Sequence, residues 1–165
     1  MKEKSAAICM ILKGYPRISE TFISNEIALL EEQGFNIFLV SMRYPRESFS
    51  HESVKRIKAR PLYLPSCLRG NWIRLMRANL AVALRRPRSY LRALRMLLRK
   101  WLQSRNIATL KHMLQAGYLL RHGLLGSNVR RLHAQFAHSP ASVAQFAHVL
   151  SGLPFGFSCH AKDIY

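Results

Sequence analysis

Between Glu52 and Asp163 the sequence contains no Asp or Glu. The whole chain of 165 residues has 26 Lys and Arg against 8 Asp and Glu, a formal net charge of +18. Residues 53–161 hold 19 of those cations, so the remainder nets 7 − 8 = −1 and is electrically ordinary. A positive field confined to one tract attracts polyanions, whether phosphates, nucleic acid or anionic lipid.

Other scarcities narrow the class further. The three cysteines, Cys9, Cys67 and Cys159, are odd in number and widely spaced. That excludes a disulfide framework and a zinc-finger pattern, and it suits buried or neutral thiols in a reducing cytoplasm. Arg interrupts the apolar regions every few positions, so no stretch reaches the roughly 20 apolar residues that span a bilayer. The run from Ala6 to Leu12 is too short for a signal peptide and meets Lys13. Internal repeats and low-complexity segments are missing as well. A chain of this length with 49% apolar residues fills one domain. The abrupt end at Asp163-Ile164-Tyr165 is read as a domain cut short.

What is present has the rhythm of an α/β fold. Residues 6–12 form an uninterrupted apolar run, as in a central parallel strand buried on both faces. Ser19-Glu20-Thr21 offers an N-cap with acid in the first turn. Phe22, Ile23, Ile27 and Leu30 then recur on one helical face, and Gly34 stands where a helix should stop. Residues 35–42 read as the next strand, completing a right-handed βαβ unit. Residues 61–64, bracketed by prolines, suit a short edge strand. A basic helical tract fills about 66–126, broken by Pro87, with a third helix over 107–122. Strands are expected at 131–136 and 155–159, around a helix that Ser139-Pro140 starts and Gly152 stops.

In such a sheet, ligands bind beyond the carboxyl ends of the strands where the winding order reverses. Three loops line that crevice: 13–19, 135–139 and 159–163. They carry Lys13, Arg17, Ser19, Gln135, His138, Ser139, His160, Lys162 and Asp163. His133 lies within a strand, where packing is the more natural role. No ligand spacing supports a metal site from His133, His138 and His160. Cys159 and His160 are strand neighbours that point to opposite faces, which rules against a nucleophile–base pair.

The segment Gly14-Tyr15-Pro16-Arg17-Ile18-Ser19-Glu20-Thr21-Phe22-Ile23-Ser24-Asn25-Glu26 resembles the opening signature of retaining glycosyltransferases of bacterial exopolysaccharide synthesis, the colanic-acid type among them. Arg131–Ala137 and Phe157–Tyr165 resemble that family's fourth and fifth strand ends. The resemblance implies the acceptor-side, N-terminal half of a two-domain Rossmann-like (GT-B) enzyme, its donor-binding half absent. It implies a nucleotide sugar as co-substrate, no bound cofactor or metal, and a lipid-linked or polysaccharide acceptor. Gly14, Tyr15, Arg17, Ser19, Glu20, Thr21, His138, Lys162 and Asp163 would bind substrate, and His160 would face the donor sugar as the catalytic residue. The family pattern usually reads His-Ala-His-Phe, but here Gln135 replaces the second His and cannot carry protonated charge. The fragment alone is expected to be inactive or nearly so.

The basic tract interleaves Arg69, Arg74, Arg77, Arg85, Arg86, Arg88, Arg92, Arg95, Arg99 and Lys100 with Trp72, Leu75, Leu80, Leu91, Leu94, Leu98 and Trp101. This pattern suits the surface of an anionic bilayer, with Trp72, Arg77, Arg92, Arg95, Arg99 and Trp101 facing the membrane. Taken with the resemblance, it implies a cytoplasmic chain, peripheral on the inner face of a bacterial plasma membrane. The alternatives are a solvated arginine face and a nucleic-acid surface; the second is disfavoured because no binding motif accompanies the charge.

Overall fold

A computed structural model of the chain describes residues 6–17, 20–45, 54 and 56–159. Among these residues five parallel strands form one sheet in the order β3-β2-β1-β4-β5. They are β1 (Ala7–Leu12), β2 (Asn36–Ser41), β3 (Leu62–Tyr63), β4 (Val129–Gln135) and β5 (Phe155–Ser158). The apolar run of β1 is central, as its lack of alternation predicts, and prolines flank the edge strand β3.

The helices are α1 (Thr21–Glu32), α2 (Trp72–Arg85), α3 (Pro87–Ser104), α4 (Ala108–Leu119) and α5 (Ser139–Ser151). They lie on both faces of the sheet, in a Rossmann-like α/β arrangement. Successive side chains of β1 point to opposite faces. Met10 and Leu12 therefore join Ile23 and Ile27 of α1 in a small core, while Cys9 and Ile11 join the large core formed with the other four helices. This division follows from handedness. The path from β1 to β2 runs one way along the sheet and that from β4 to β5 runs the other, so right-handed crossovers put α1 and α5 on opposite faces. Helix α4 is buried from His112 to Leu119, with α2, α3 and α5 packed around it. It continues into a π-helical turn, Leu120–Leu124, before β4 begins.

Several local expectations need correction. Glu20 occupies the N-cap position of α1 but makes no capping bond, and the first turn holds no acid. Its carboxylate instead pairs with Arg17 at 2.9 Å. Phe22 does not share the buried face of Ile23 and Ile27; it is 44% exposed and meets Phe136 edge to face. The cap of α5 is His138, whose Nδ1 accepts the Ser139 N–H at 2.8 Å, with Ser139 already helical. Helix α3 begins with Pro87 in its first turn, three residues before the expected Tyr90. Only Cys9 is a buried thiol, its pKa pushed well up by burial; Cys67 and Cys159 are exposed. Gly34 and Gly152 end α1 and α5 at φ +87° and +82°, the left-handed geometry that glycine tolerates.

Candidate functional site

The carboxyl ends of β1, β2 and β4 form one rim of the molecule, as the winding order requires. A cavity of about 130 Å³ opens there, lined by Lys13, Gly14, Arg17, Arg43 and Tyr44. Each residue is positioned by its strand. Lys13 and Gly14 leave β1 directly, and Arg43 and Tyr44 leave β2, whose end is tied to β1 by Met42 N–H donating to Leu12 O at 2.9 Å. Ser41 Oγ donates to Arg43 O at 2.6 Å and fixes that turn. The Tyr44 ring stacks on Tyr63 with centroids 4.5 Å apart, and Tyr63 in turn donates its hydroxyl to Tyr15 O at 3.2 Å. Three cations thus surround the opening, and only Arg17 has a carboxylate partner among the described residues. Lys111 adds to the positive field. Its pKa is lowered by burial first and by the Arg43 charge second, with Cys67 opposing. The chemistry this arrangement offers is anion binding: charge-assisted hydrogen bonds from guanidinium and ammonium groups to phosphate or carboxylate oxygens.

At the reversal point between β1 and β4, Phe136 is held at φ +80°, a geometry that costs a non-glycine residue on the order of 1–3 kcal/mol. Its N–H is anchored on Ser158 O at 3.0 Å, and its ring stacks on His138 at 5.4 Å. The Gln135 side chain, fully buried, donates from Nε2 to Glu26 Oε2 at 2.8 Å, joining β4 to α1. His133 shares a hydrogen bond with Ser158 Oγ at 3.0 Å. Burial lowers its pKa, Glu26 opposes this and Arg131 reinforces it; the ring is half-buried and lines a small cavity with Ile8, Met10, Glu26, Leu30 and Arg131.

The predicted site residues separate into groups. Gly14 and Arg17 line the cavity. Glu20 holds Arg17, and Thr21 opens α1 beside it. Tyr15 is buried in the small core, where desolvation raises its phenol pKa against a smaller opposing effect of Ser24. His138 caps α5 at the β4 end of the rim, a bond that needs Nδ1 unprotonated. Ser19, His160, Lys162 and Asp163 lie outside the described residues. Arg43, Tyr44 and Lys111 are additions that the sequence reading missed. The rule that selected the loop after β1 also selects the loop after β2, which was the available signal for Arg43 and Tyr44; Lys111, on α4, had none.

On the far face, Arg77, Arg92, Arg95 and Arg99 are exposed, and Trp72 and Trp101 are 50% and 45% exposed. Leu75, which alternates with the arginines in sequence, is fully buried in the large core. Lys100 turns inward, its ammonium over the Phe146 ring, and burial lowers its pKa. Among the described residues no cluster of His, Cys, Asp or Glu has metal-ligand geometry, and no helix is long and apolar enough to cross a membrane. No family model matches the chain, and neither a curated protein nor a solved structure does.

Proposed function

We propose that this chain is the acceptor-side domain of a retaining, nucleotide-sugar-dependent glycosyltransferase of the exopolysaccharide type, taking a lipid-linked or polysaccharide acceptor. The observation that carries the reading is the cation-lined cavity of Lys13, Arg17 and Arg43 at the strand ends, where the resembling loop Gly14–Glu26 begins. In this role Arg17 and Arg43 bind the anionic part of acceptor or donor diphosphate, and Glu20 aims Arg17. Holding both substrates and stabilising the leaving phosphate require more groups than these. The chain alone therefore gives no measurable transfer from common nucleotide sugars to a lipid-diphosphate-linked sugar. Fused after Tyr165 to a matching donor-binding domain, it transfers with retention. In that fusion Arg43→Ala lowers kcat/KM by roughly tenfold, about 1.4 kcal/mol, and His160→Ala, chosen on resemblance alone, lowers turnover by a similar factor. Turnover by the lone chain removes the acceptor-half reading. Full activity of the Arg43→Ala and Arg17→Ala fusions removes the cavity from the mechanism.

The same reading makes the protein peripheral on an anionic membrane, on the cytoplasmic side. Helix α3 supports this with an exposed row of Leu91, Leu94, Leu98, Trp101 and Leu102 beside Arg88, Arg92, Arg95 and Arg99. Leu94, Leu97, Leu98 and Trp101 also frame an apolar groove with Ile107 and Leu110. An apolar row next to a cationic row matches a bilayer whose acyl region lies under anionic headgroups. Binding to phosphatidylglycerol vesicles falls as salt rises, and Leu91→Glu with Leu98→Glu weakens it by roughly tenfold or more. Equal binding to neutral and anionic vesicles contradicts the electrostatic part. Tight binding to duplex DNA with none to vesicles promotes a non-catalytic nucleic-acid-binding role instead.

A further inference from the structure

A second cationic cavity, unrelated to the strand-end rim, lies between α2 and the end of α4. Its volume is about 360 Å³, and Arg74, Arg77 and Arg121 line it together with Ala78, Ala81, Tyr118 and His122. The residues from α2 are spaced 74, 77, 78 and 81, so they share one flank of the helix. The two alanines leave the room, and the two arginines overhang it. Arg74 Nη2 donates to the Tyr118 hydroxyl at 3.4 Å, and the Tyr118 ring lies against His122 with centroids 4.4 Å apart. The pKa of His122 is lowered by burial first and then by Arg121 and Arg74, so the imidazole is neutral near pH 7 and does not add to the charge.

Three guanidinium groups facing one cavity repel one another, and nothing among the described residues offsets them. The described carboxylates are Glu20, Glu26, Glu31 and Glu32, all on α1 or at its cap, on the opposite face of the sheet. Three of them have partners there: Glu20 pairs with Arg17, Glu26 accepts from Gln135, and Glu31 accepts the N–H groups of Lys58 and Ala59 at 2.7 and 2.8 Å. The cavity is also remote from the rim. It sits where α4 and its π-helical turn lead into the amino end of β4, whereas Phe136 and Arg43 follow the carboxyl ends of β4 and β2.

We propose that Arg74, Arg77 and Arg121 form a binding site for a phosphate monoester or diphosphate group. Planar guanidinium forks present paired N–H donors to phosphate oxygens, and a dianion relieves the repulsion among three of them as a monoanion does less well. The carrier of the phosphate is either a soluble molecule or an amphiphile. The outermost row of α2, Ile73, Leu80 and Leu84, is 72%, 61% and 75% exposed beside the cavity, which suits a phosphate borne on a lipid.

The test uses the full chain at fixed ionic strength. Calorimetric titration with inorganic pyrophosphate, run on the chain carrying Arg17→Gln and Arg43→Gln so that the rim cavity does not contribute, is expected to show one saturable site. Arg77→Gln with Arg121→Gln weakens it at least tenfold. Arg92→Gln with Arg99→Gln, which removes the same charge from α3, leaves Kd within about twofold. Circular dichroism of both double variants serves as the folding check, Arg121 being half-buried and the other three exposed. A parallel arm compares vesicles containing phosphatidic acid with phosphatidylglycerol vesicles of matched surface charge. A preference for phosphatidic acid that disappears in Arg77→Gln/Arg121→Gln assigns the site to a lipid phosphate. Pyrophosphate binding without that preference assigns it to a soluble one. Equal weakening by both double variants overturns the proposal, because it reports diffuse charge. So does the absence of both saturable pyrophosphate binding and phosphatidic acid preference.

Discussion

Replacing Gly117 by alanine is expected to destabilise the protein by roughly 2–4 kcal/mol. A Cβ at this position of α4 falls inside the van der Waals radius of the Asn79 side-chain amide. Asn79 is buried and has nowhere to retreat. Its Nδ2 donates to Leu75 O at 2.8 Å and to Leu114 O at 3.0 Å, and its Oδ1 accepts from the Tyr90 hydroxyl at 3.3 Å. One amide thus joins α2, α3 and α4, and moving it leaves buried polar groups unpaired. Alanine's better helix propensity returns only about 1 kcal/mol. The expected fall in Tm is roughly 5–15 °C for a domain of this size. A double-mutant cycle with Asn79→Ala isolates the contact: strong coupling between the two sites is expected, and simply additive costs dispose of the clash as the cause.

Lowering the pH from 7 to 5 is expected to remove about 2 kcal/mol of stability through His112 alone. This residue of α4 is 8% exposed. Burial, followed by the charges of Lys111, Lys100 and His138, pushes its pKa down from 6.5 to about 4. The folded protein therefore keeps the ring neutral where the unfolded chain protonates it. Its contribution is present above the unfolded pKa of 6.5 and is lost as pH falls toward 4. His133 and His122, whose pKa values are also lowered, act in the same direction. Urea unfolding of the wild type at pH 7 and 5, beside a His112→Gln variant, measures the effect. An unchanged pH dependence in the variant assigns the loss elsewhere.

The uninterrupted apolar run of β1 made the sheet legible. An apolar segment buried on both faces has only one place in a parallel sheet, and the βαβ spacing set its partners. Helix ends were less legible. Whether Ser139 or His138 caps α5, and whether Glu20 caps α1 or binds Arg17, depends on backbone angles that residue type does not determine. Phe22 shows the limit of periodicity: it has the apolar character of the buried row, but its position turns it toward Phe136 at the helix edge. The strand-end site was legible to the extent that one loop carried a motif. Arg43 was missed because nothing in its local sequence marks it; only its place after β2 does. The cavity of Arg74 and Arg121 joins residues 47 positions apart (121 − 74). It arises from how α2 crosses α4, which no local pattern encodes.

The sheet also separates charge. The described carboxylates lie on the α1 side, while the stretch from Trp72 to Leu124 on the other side holds 12 Lys and Arg and no acid. Among the described residues this charge asymmetry runs across the sheet. In the field of a polyanionic surface the molecule experiences a torque before contact, and it arrives with α2 and α3 leading. Encounters are then oriented rather than random, which raises the association rate and makes that rate fall steeply with ionic strength. The pose has a geometric result. In a pose with α2 and α3 facing such a surface, the rim of Lys13, Arg17 and Arg43 opens sideways along it. Under the proposed membrane role, a group anchored in the bilayer would approach that rim by lateral diffusion in two dimensions.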